Sequence, residues 1–239
     1  MTHDLGEKKK TVVLRQRIAE GKAREIIESK KSGTMDRIMR RPESEYRVQS
    51  VILKYKPYLL AYATYECDFY RKAVHTIKVD GEVSEVVIGR STFPVKGGGG
   101  MLARLGRKVK EGVGMDRSEV EIELEEHVVA KTSDKVVLDR HGGDAKFDYE
   151  TGRDSVEGYP DQVLEKNRGN VEPLEVPVGA AVKRLEAGLK VYHDVRMVSE
   201  KFTIEEVSEA YVPYFEGRVE GPDNRAAVIR IDAVTGKEW

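Results

Sequence analysis

The chain has 239 residues, and its 41 Lys and Arg nearly balance its 42 Asp and Glu, so its formal net charge is −1 at pH 7. This balance excludes a uniformly basic surface that would attract nucleic acid to the whole protein. The single cysteine excludes an intrachain disulfide and is typical of a reducing compartment. No apolar signal segment follows the N-terminal lysines, and no run of about 18 apolar residues could cross a membrane. We therefore expect a cytoplasmic protein without a membrane partner.

The amide content of the chain is low and its charge content is high. Only three Gln and three Asn occur, whereas 35% of the residues are charged. Depletion of amides with enrichment of Lys and Glu is typical of proteins from very hot environments. The composition therefore predicts a thermophilic source.

The N-terminal segment, residues 1–45, is basic. Within it we expect a helix over residues 11–40, because Leu14 and Ile18 lie one turn apart and Lys and Arg fill the other positions. Pro42 would end this helix.

Residues 46–95 are predicted to form a first hairpin module. The chain alternates from Tyr55 onward, so that one parity is apolar and the other is mixed. The expected core face is Tyr55, Leu59, Ala61, Ala63, Tyr65, Cys67 and Phe69. The mixed face is Tyr58, Tyr62, Thr64, Glu66, Asp68 and Tyr70. A turn near Arg71 would return the chain as a strand over residues 73–79, followed by a third strand over residues 82–88.

Four further segments follow in chain order. Residues 96–115 are a Gly-rich basic connector, and residues 116–150 are a β-meander that begins with an acidic outer face. Residues 151–178 are a Pro- and Gly-rich linker. The last segment, residues 179–239, is a second helix-hairpin module, whose helix over residues 179–189 has Val182, Leu185 and Leu189 on one face.

The two hairpin modules are related by an internal repeat. Tyr55, Pro57 and Tyr58 correspond to Tyr211, Pro213 and Tyr214, and Ile77 corresponds to Ile229. We therefore predict an α+β fold in which two related modules, each a helix plus an antiparallel β-hairpin, flank a small β-meander. A true repeat should keep its core parity, so Ile77 and Ile229 should both be buried.

The end of the second hairpin resembles a known family. Ile231, Asp232, Ala233, Thr235 and Gly236 match the turn that closes the hairpin of the PepSY-type module. The resemblance covers about the last quarter of the chain, and the first copy, with "VDGEV", lacks the Ala and Thr. It implies a helix-strand-strand unit and association with proteases as an inhibitor or chaperone.

The Gly-rich connector provides one alternative function. Backbone N–H groups of small residues can approach a phosphate, and cations follow the glycines. This alternative is an enzyme or sensor that binds a phosphorylated ligand through Lys96, Gly98, Gly100, Arg104, Arg107 and Lys108. Pro94 interrupts the join between strand and loop and the surrounding segments predict hairpins, so we favour a simple connector.

Other candidates for chemistry give no reaction signature. Cys67 and His75 could face each other across the predicted hairpin, but a buried Cys and a His at the sheet edge explain them as well. The remaining histidines have no metal-ligand spacing, and no cofactor is predicted.

Six of the eleven tyrosines fall between Tyr46 and Tyr70. Tyr residues beside cations are typical either of a packing surface or of a single-stranded nucleic-acid platform. We favour packing, and the predicted partner-binding residues are Tyr58, Tyr62, Tyr70 and Tyr214. The sequence thus predicts a non-catalytic binding or assembly module that uses sheet faces or edges to engage a protein partner or itself, with a phosphorylated-ligand enzyme or sensor and a nucleic-acid binder as alternatives.

Overall fold

The computed structural model describes residues 9–39, 46–95, 117–221 and 226–239. Seven strands and three α-helices lie in these ranges, so the fold is broadly α+β. The strands are β1 (Lys9–Val13), β2 (Arg47–Asp80), β3 (Glu85–Ile88), β4 (Ser91–Pro94), β5 (Arg117–Leu138), β6 (Arg196–Glu220) and β7 (Ala226–Asp232). The helices are α1 (Glu20–Met39), α2 (Pro160–Lys166) and α3 (Val178–Leu189), with a short 3-10 helix at Arg168–Asn170.

One mixed five-stranded sheet dominates the fold, in the order β1-β6-β2-β5 with β7 also paired to β6. Strand β1 runs parallel to β6, with Lys9 opposite Val207. Strand β7 pairs with β6 in antiparallel orientation, and Tyr214 lies opposite Asp232. Strands β3 and β4 form a separate antiparallel pair.

The chain divides into two compact units. Unit 1 consists of residues 1–65, 132–191 and 202–239, and unit 2 of residues 66–131 and 192–201. Strands β2, β5 and β6 each contribute a segment to both units. Each unit therefore joins segments that are distant in the sequence. Local sequence patterns do not predict such a division.

Unit 1 has two apolar clusters. In the first, Ala23 and Ile27 on one face of α1 are fully buried against strands β6 and β7, which supply Phe215 and Ile229. In the second, Leu14, which follows β1, and buried residues of β2 and β6 pack against Phe147, which lies in the chain after β5. This second cluster comprises Leu14, Tyr58, Phe147, Ala210 and Val212.

Unit 2 has a smaller core. Val120 and Ile122 of β5 are buried together with Val95, and the β3–β4 hairpin covers them. The alternation predicted for this part of β5 holds at Val120 and Ile122, between exposed glutamates, but it fails at Leu124, which is also exposed.

Two other expectations are also confirmed. All seven residues predicted for the core face of β2, from Tyr55 to Phe69, are buried. Helix α3 spans the predicted residues with Val182, Leu185 and Leu189 buried.

The first hairpin was predicted wrongly. Strand β2 continues through Arg71 without a turn and ends at Asp80. Ile77 is 38% exposed, whereas Ile229 is 1% exposed, so the two positions do not share an environment. The internal repeat is therefore unconfirmed.

The meander and the first helix also differ from prediction. Strand β5 is continuous through Ser133, whose hydroxyl lies 3.0 Å from that of Thr64 on the neighbouring strand β2. Residues 145–150 form no strand; they pack through Phe147 instead. The β-branched residues Thr11, Val12 and Val13 form strand β1, and the helix starts only at Glu20.

Candidate functional site

Strand β2 is uncovered where it runs through unit 2. Val74, His75, Thr76, Ile77 and Lys78 are exposed in succession. Because successive side chains of a strand point to opposite faces, both faces of the sheet are open to solvent here.

Several exposed residues of this region are apolar. Val74 is 61% exposed, and Leu124 of β5, which is 40% exposed, lines the same open cavity of about 510 Å³. We call residues 71–78 of β2 and 123–129 of β5 the uncovered sheet. The exposed apolar side chains of unit 2 are Val74, Ile77, Val87, Ile88, Leu124, Val129, Met197 and Val198.

Charged side chains of both signs border the apolar ones. Lys72 and Lys78 on β2 are exposed and form no ion pair with another described residue. The same holds for Glu119 and Glu123 on β5. Within the part of unit 2 that the structure describes, exposed cations and exposed carboxylates without ion-pair partners therefore lie in the same region.

Glu126 joins two basic groups of β2. Its carboxylate accepts a hydrogen bond from Arg71 Nε at 2.7 Å and lies 2.6 Å from His75 Nε2. The hydrogen bond from Arg71, followed by that of His75, holds the pKa of Glu126 below its usual value of 4.5.

A second histidine of unit 2 belongs to an aromatic stack. The rings of Tyr70 and His127 are stacked with centroids 4.6 Å apart, and the Arg196 guanidinium lies 4.1 Å from the centroid of Tyr70. His127 Nε2 lies 2.6 Å from Asp68 Oδ1. These contacts fix Tyr70 against its own chain.

Unit 1 contains a polar pocket of about 270 Å³. It is lined by Lys56, Asp139, Arg140, His141, Glu172, Tyr214, Arg230 and Trp239.

Glu172 organises one wall of the pocket. It accepts hydrogen bonds from Arg140 Nη1, at 2.9 Å, and from the hydroxyl of Tyr214. Burial, followed by this hydrogen bond, raises the pKa of Tyr214 well above its usual value, so the hydroxyl remains a donor. Arg140 Nε also donates to His141 Nε2 at 2.8 Å, which leaves His141 Nδ1 as the donor to Glu175, at 2.8 Å.

Aromatic rings also line the pocket. Tyr214 and Trp239 have ring centroids 5.0 Å apart. Lys56 Nζ lies 4.8 Å from the ring centroid of Trp239 and 5.3 Å from that of Tyr58. Lys56 forms no ion pair with any other residue in the described ranges.

The four tyrosines predicted to bind a partner do not form one exposed surface. Tyr58 and Tyr214 are 7% and 1% exposed and pack inside unit 1, so their rings are unavailable to a partner in this conformation. Tyr62 is 43% exposed in unit 1, and Tyr70 is half-buried in unit 2. Tyr58 is buried because Phe147 covers the mixed face of β2, at a ring distance of 5.6 Å.

The remaining candidates are accounted for as follows. The alternative phosphate-binding residues, Lys96, Gly98, Gly100, Arg104, Arg107 and Lys108, lie outside the described residues. Cys67 is buried, and burial raises the pKa of its thiol. Within the described ranges no helix is long and apolar enough to cross a membrane, and no cluster of three His, Cys, Asp or Glu side chains could hold a metal ion.

Sequence patterns missed the pocket in unit 1. Its residues come from β2, from the turn after β5, from the connection before α3, from β6 and β7, and from Trp239 after β7. The local sequence signal at this place is the group of ligand-type side chains Asp139, His141 and Asp144, which a Gly-Asp turn explains without a site. No protein-family model matches the chain, and no curated protein or solved structure is significantly similar to it.

Proposed function

We propose that the protein is a non-catalytic assembly module that associates with a second copy of itself through the uncovered sheet of unit 2. The observation that carries this proposal is the run of five consecutive exposed residues from Val74 to Lys78. A strand that is open on both faces normally packs against a helix, another sheet or a partner.

Burial of the apolar side chains would drive the association. Full burial of an exposed Val or Leu side chain stabilises by about 1.5–3 kcal/mol. Val74 and Ile77 point to opposite faces of β2, as do Leu124 and Val129 on β5, so contact through one face buries two of these four side chains in each copy. Part of the resulting gain offsets the cost of immobilising two molecules.

The charges favour a second copy over an unrelated partner. Lys72 and Lys78 in one molecule can meet Glu119 and Glu123 in the other, because a two-fold axis brings each set opposite its complement. Simple edge pairing of two β5 strands is disfavoured, since it would place acidic side chains of one face opposite each other. We therefore expect contact between sheet faces.

The experiment is sedimentation equilibrium of the full chain across protein concentration, with matched substitutions of two exposed valines on strands. Val74→Lys places a charge in the uncovered sheet, and Val228→Lys places one on β7 of unit 1, where Val228 is 51% exposed. We expect the wild type to gain mass with concentration. Val74→Lys should weaken the association at least about tenfold, as expected for losing an apolar contact at an interface.

Circular dichroism checks that both variants are folded. A wild type that remains monomeric at all concentrations, or equal weakening by Val74→Lys and Val228→Lys, would contradict the proposal. If only Val228→Lys weakens association, the interface lies in unit 1 instead.

The nucleic-acid alternative has less support. A stacking platform needs accessible rings beside cations. Tyr58 and Tyr214 are buried, and Tyr70 already stacks on Arg196 and His127.

A further inference from the structure

The polar pocket of unit 1 brings together three cations. Lys56, Arg140 and Arg230 lie in its lining, together with two carboxylates, Asp139 and Glu172. The lining therefore holds three cationic and two anionic side chains besides His141.

Each of the two guanidinium groups is held in place by a carboxylate. Arg140 Nη1 binds Glu172 at 2.9 Å, and Arg230 Nε binds Glu216 at 3.1 Å. Such ion pairs orient a guanidinium group before a ligand arrives, so little side-chain entropy is lost on binding. The paired carboxylates also neutralise much of the positive charge of each guanidinium group.

Lys56 differs from both arginines. Its ammonium group has no carboxylate partner among the described residues and lies against the faces of Trp239 and Tyr58. An ammonium held over aromatic rings keeps its charge and its hydrogen-bond donors available to a ligand.

Trp239 provides an apolar surface beside these charges. It lines the pocket and remains 42% exposed although its ring contacts Tyr214 and Lys56. An exposed indole next to a free ammonium group suits a ligand that has a flat ring and a negative charge.

We propose that this pocket binds a small aromatic carboxylate, whose carboxylate meets Lys56 and Arg230 and whose ring packs on Trp239. Both arginines of the lining already pair with carboxylates, whereas Lys56 has no carboxylate partner among the described residues, which favours a ligand with one negative charge over a phosphate dianion. Ligand pockets commonly measure about 300–1,000 Å³, so a pocket of about 270 Å³ admits only a small molecule.

Trp239 is the only tryptophan of the chain, so its fluorescence reports on the pocket directly. The full-length protein is titrated with benzoate as the probe, and separately with benzamide, acetate and inorganic phosphate. Benzamide keeps the ring without the charge, and acetate keeps the charge without the ring. We expect a saturable change with benzoate and at least about tenfold weaker binding of the other three, since a hydrogen bond to a charged group is typically the stronger kind.

Two lysine substitutions test the assignment. Lys56→Gln should weaken benzoate binding about tenfold, the typical effect of losing one charged hydrogen bond. Lys183→Gln, at an exposed position of α3, should leave it unchanged. Calorimetry provides a second measurement of the dissociation constant, and circular dichroism confirms folding. If Lys56→Gln unfolds the chain, Arg230→Gln takes its place with the same expectation.

Several results would overturn the proposal: no saturation with benzoate, equal affinity for benzamide, or tighter binding of phosphate. Equal affinities of the Lys56→Gln and Lys183→Gln variants would do the same. The proposal is independent of self-association, which the lysine substitutions leave intact.

Discussion

Gly217 of β6 lies directly against Ile27 of α1. A Cβ atom at Gly217 would be 2.6 Å from Cδ1 of Ile27, and Cγ2 and Cγ1 would follow at 3.0 and 3.1 Å. Ile27 is fully buried and branched at Cβ, so rotation of its outer methyl group alone cannot relieve all three contacts. The distance between α1 and the sheet is thus set by the absence of a side chain at position 217.

Gly217→Ala should destabilise the protein by about 1–3 kcal/mol, because overpacking a filled core forces side chains from their rotamers. Urea unfolding measures the loss. The second substitution Ile27→Val removes the closest atom, so in the double variant the effect of Gly217→Ala should be smaller. If the two effects simply add, the close contact is not the cause. Gly188→Ala on α3, where an added Cβ meets no atom within 4 Å, is the control.

The buried carboxylate of Asp232 depends on Tyr149. The Tyr149 hydroxyl donates to Asp232 Oδ2 at 2.6 Å, while Oδ1 accepts the backbone N–H groups of Val234 and Thr235 at 2.7 and 3.0 Å. Burial, followed by the hydrogen bond to Asp232, raises the pKa of Tyr149, so its hydroxyl stays protonated.

Tyr149→Phe should therefore lower the free energy of unfolding by about 1–3 kcal/mol, since a buried acceptor loses its donor. Tyr159→Phe removes a hydroxyl from a side chain that is 71% exposed and should leave stability unchanged. Thermal melts of the two variants give the comparison. Equal melting temperatures would show that water replaces the Tyr149 hydroxyl without cost.

The alternation of apolar residues in β2 predicted the core face of the strand but not the packing on its other face. Every odd-numbered residue assigned to the core face between Tyr55 and Phe69 is buried, because a strand places alternate side chains on one face. Tyr58 lies on the other face and is buried as well, since Phe147 covers it. The alternation fixes the face but contains no information on which distant segment covers the second face.

The predicted turn at Arg71 failed for a local reason. The sequence from Tyr70 to Lys78 contains no Gly, Pro, Asn or Asp, the residues whose backbone preferences favour a turn. The prediction came from the extended patterns on either side of Arg71, and these two patterns belong to one continuous strand. Local sequence signals could not predict the pocket of unit 1 either. Glu172 and Tyr214 are distant in the sequence, and only the fold brings them into contact.

Glu126 should titrate at lower pH than an isolated glutamate. Its pKa is lowered mainly by the hydrogen bond from Arg71. A carboxylate whose pKa is lower in the folded state stabilises the fold above its unfolded pKa, near 4.5, and this contribution is lost as the pH falls through the lowered value. Carboxyl NMR titration should therefore show a midpoint below 4.5 in the wild type.

Two substitutions in unit 2 serve as reciprocal controls for this titration. Arg71→Gln should raise the midpoint of Glu126 and leave that of Glu66 unchanged. Lys131→Gln should raise the midpoint of Glu66 and leave that of Glu126 unchanged, because Lys131 lies 2.7 Å from Glu66 and lowers its pKa. If Arg71→Gln leaves the Glu126 midpoint in place, the ion pair is not populated in solution.

Tyr58 and Tyr62 lie on the same face of β2 but should respond differently to truncation. Tyr58 is buried beside Phe147, so Tyr58→Ala leaves a cavity and should cost about 3–5 kcal/mol, as for other large aromatic side chains. Tyr62 is 43% exposed, and Tyr62→Ala should change stability by less than about 1 kcal/mol. Urea unfolding of the single variants separates the two effects, and sedimentation shows whether either variant alters self-association.

If Tyr62→Ala weakens association at unchanged stability, the interface extends beyond the uncovered sheet of unit 2 onto β2 in unit 1. Equal stability losses would mean that Tyr62 is also covered in solution, as it would be inside a subunit interface.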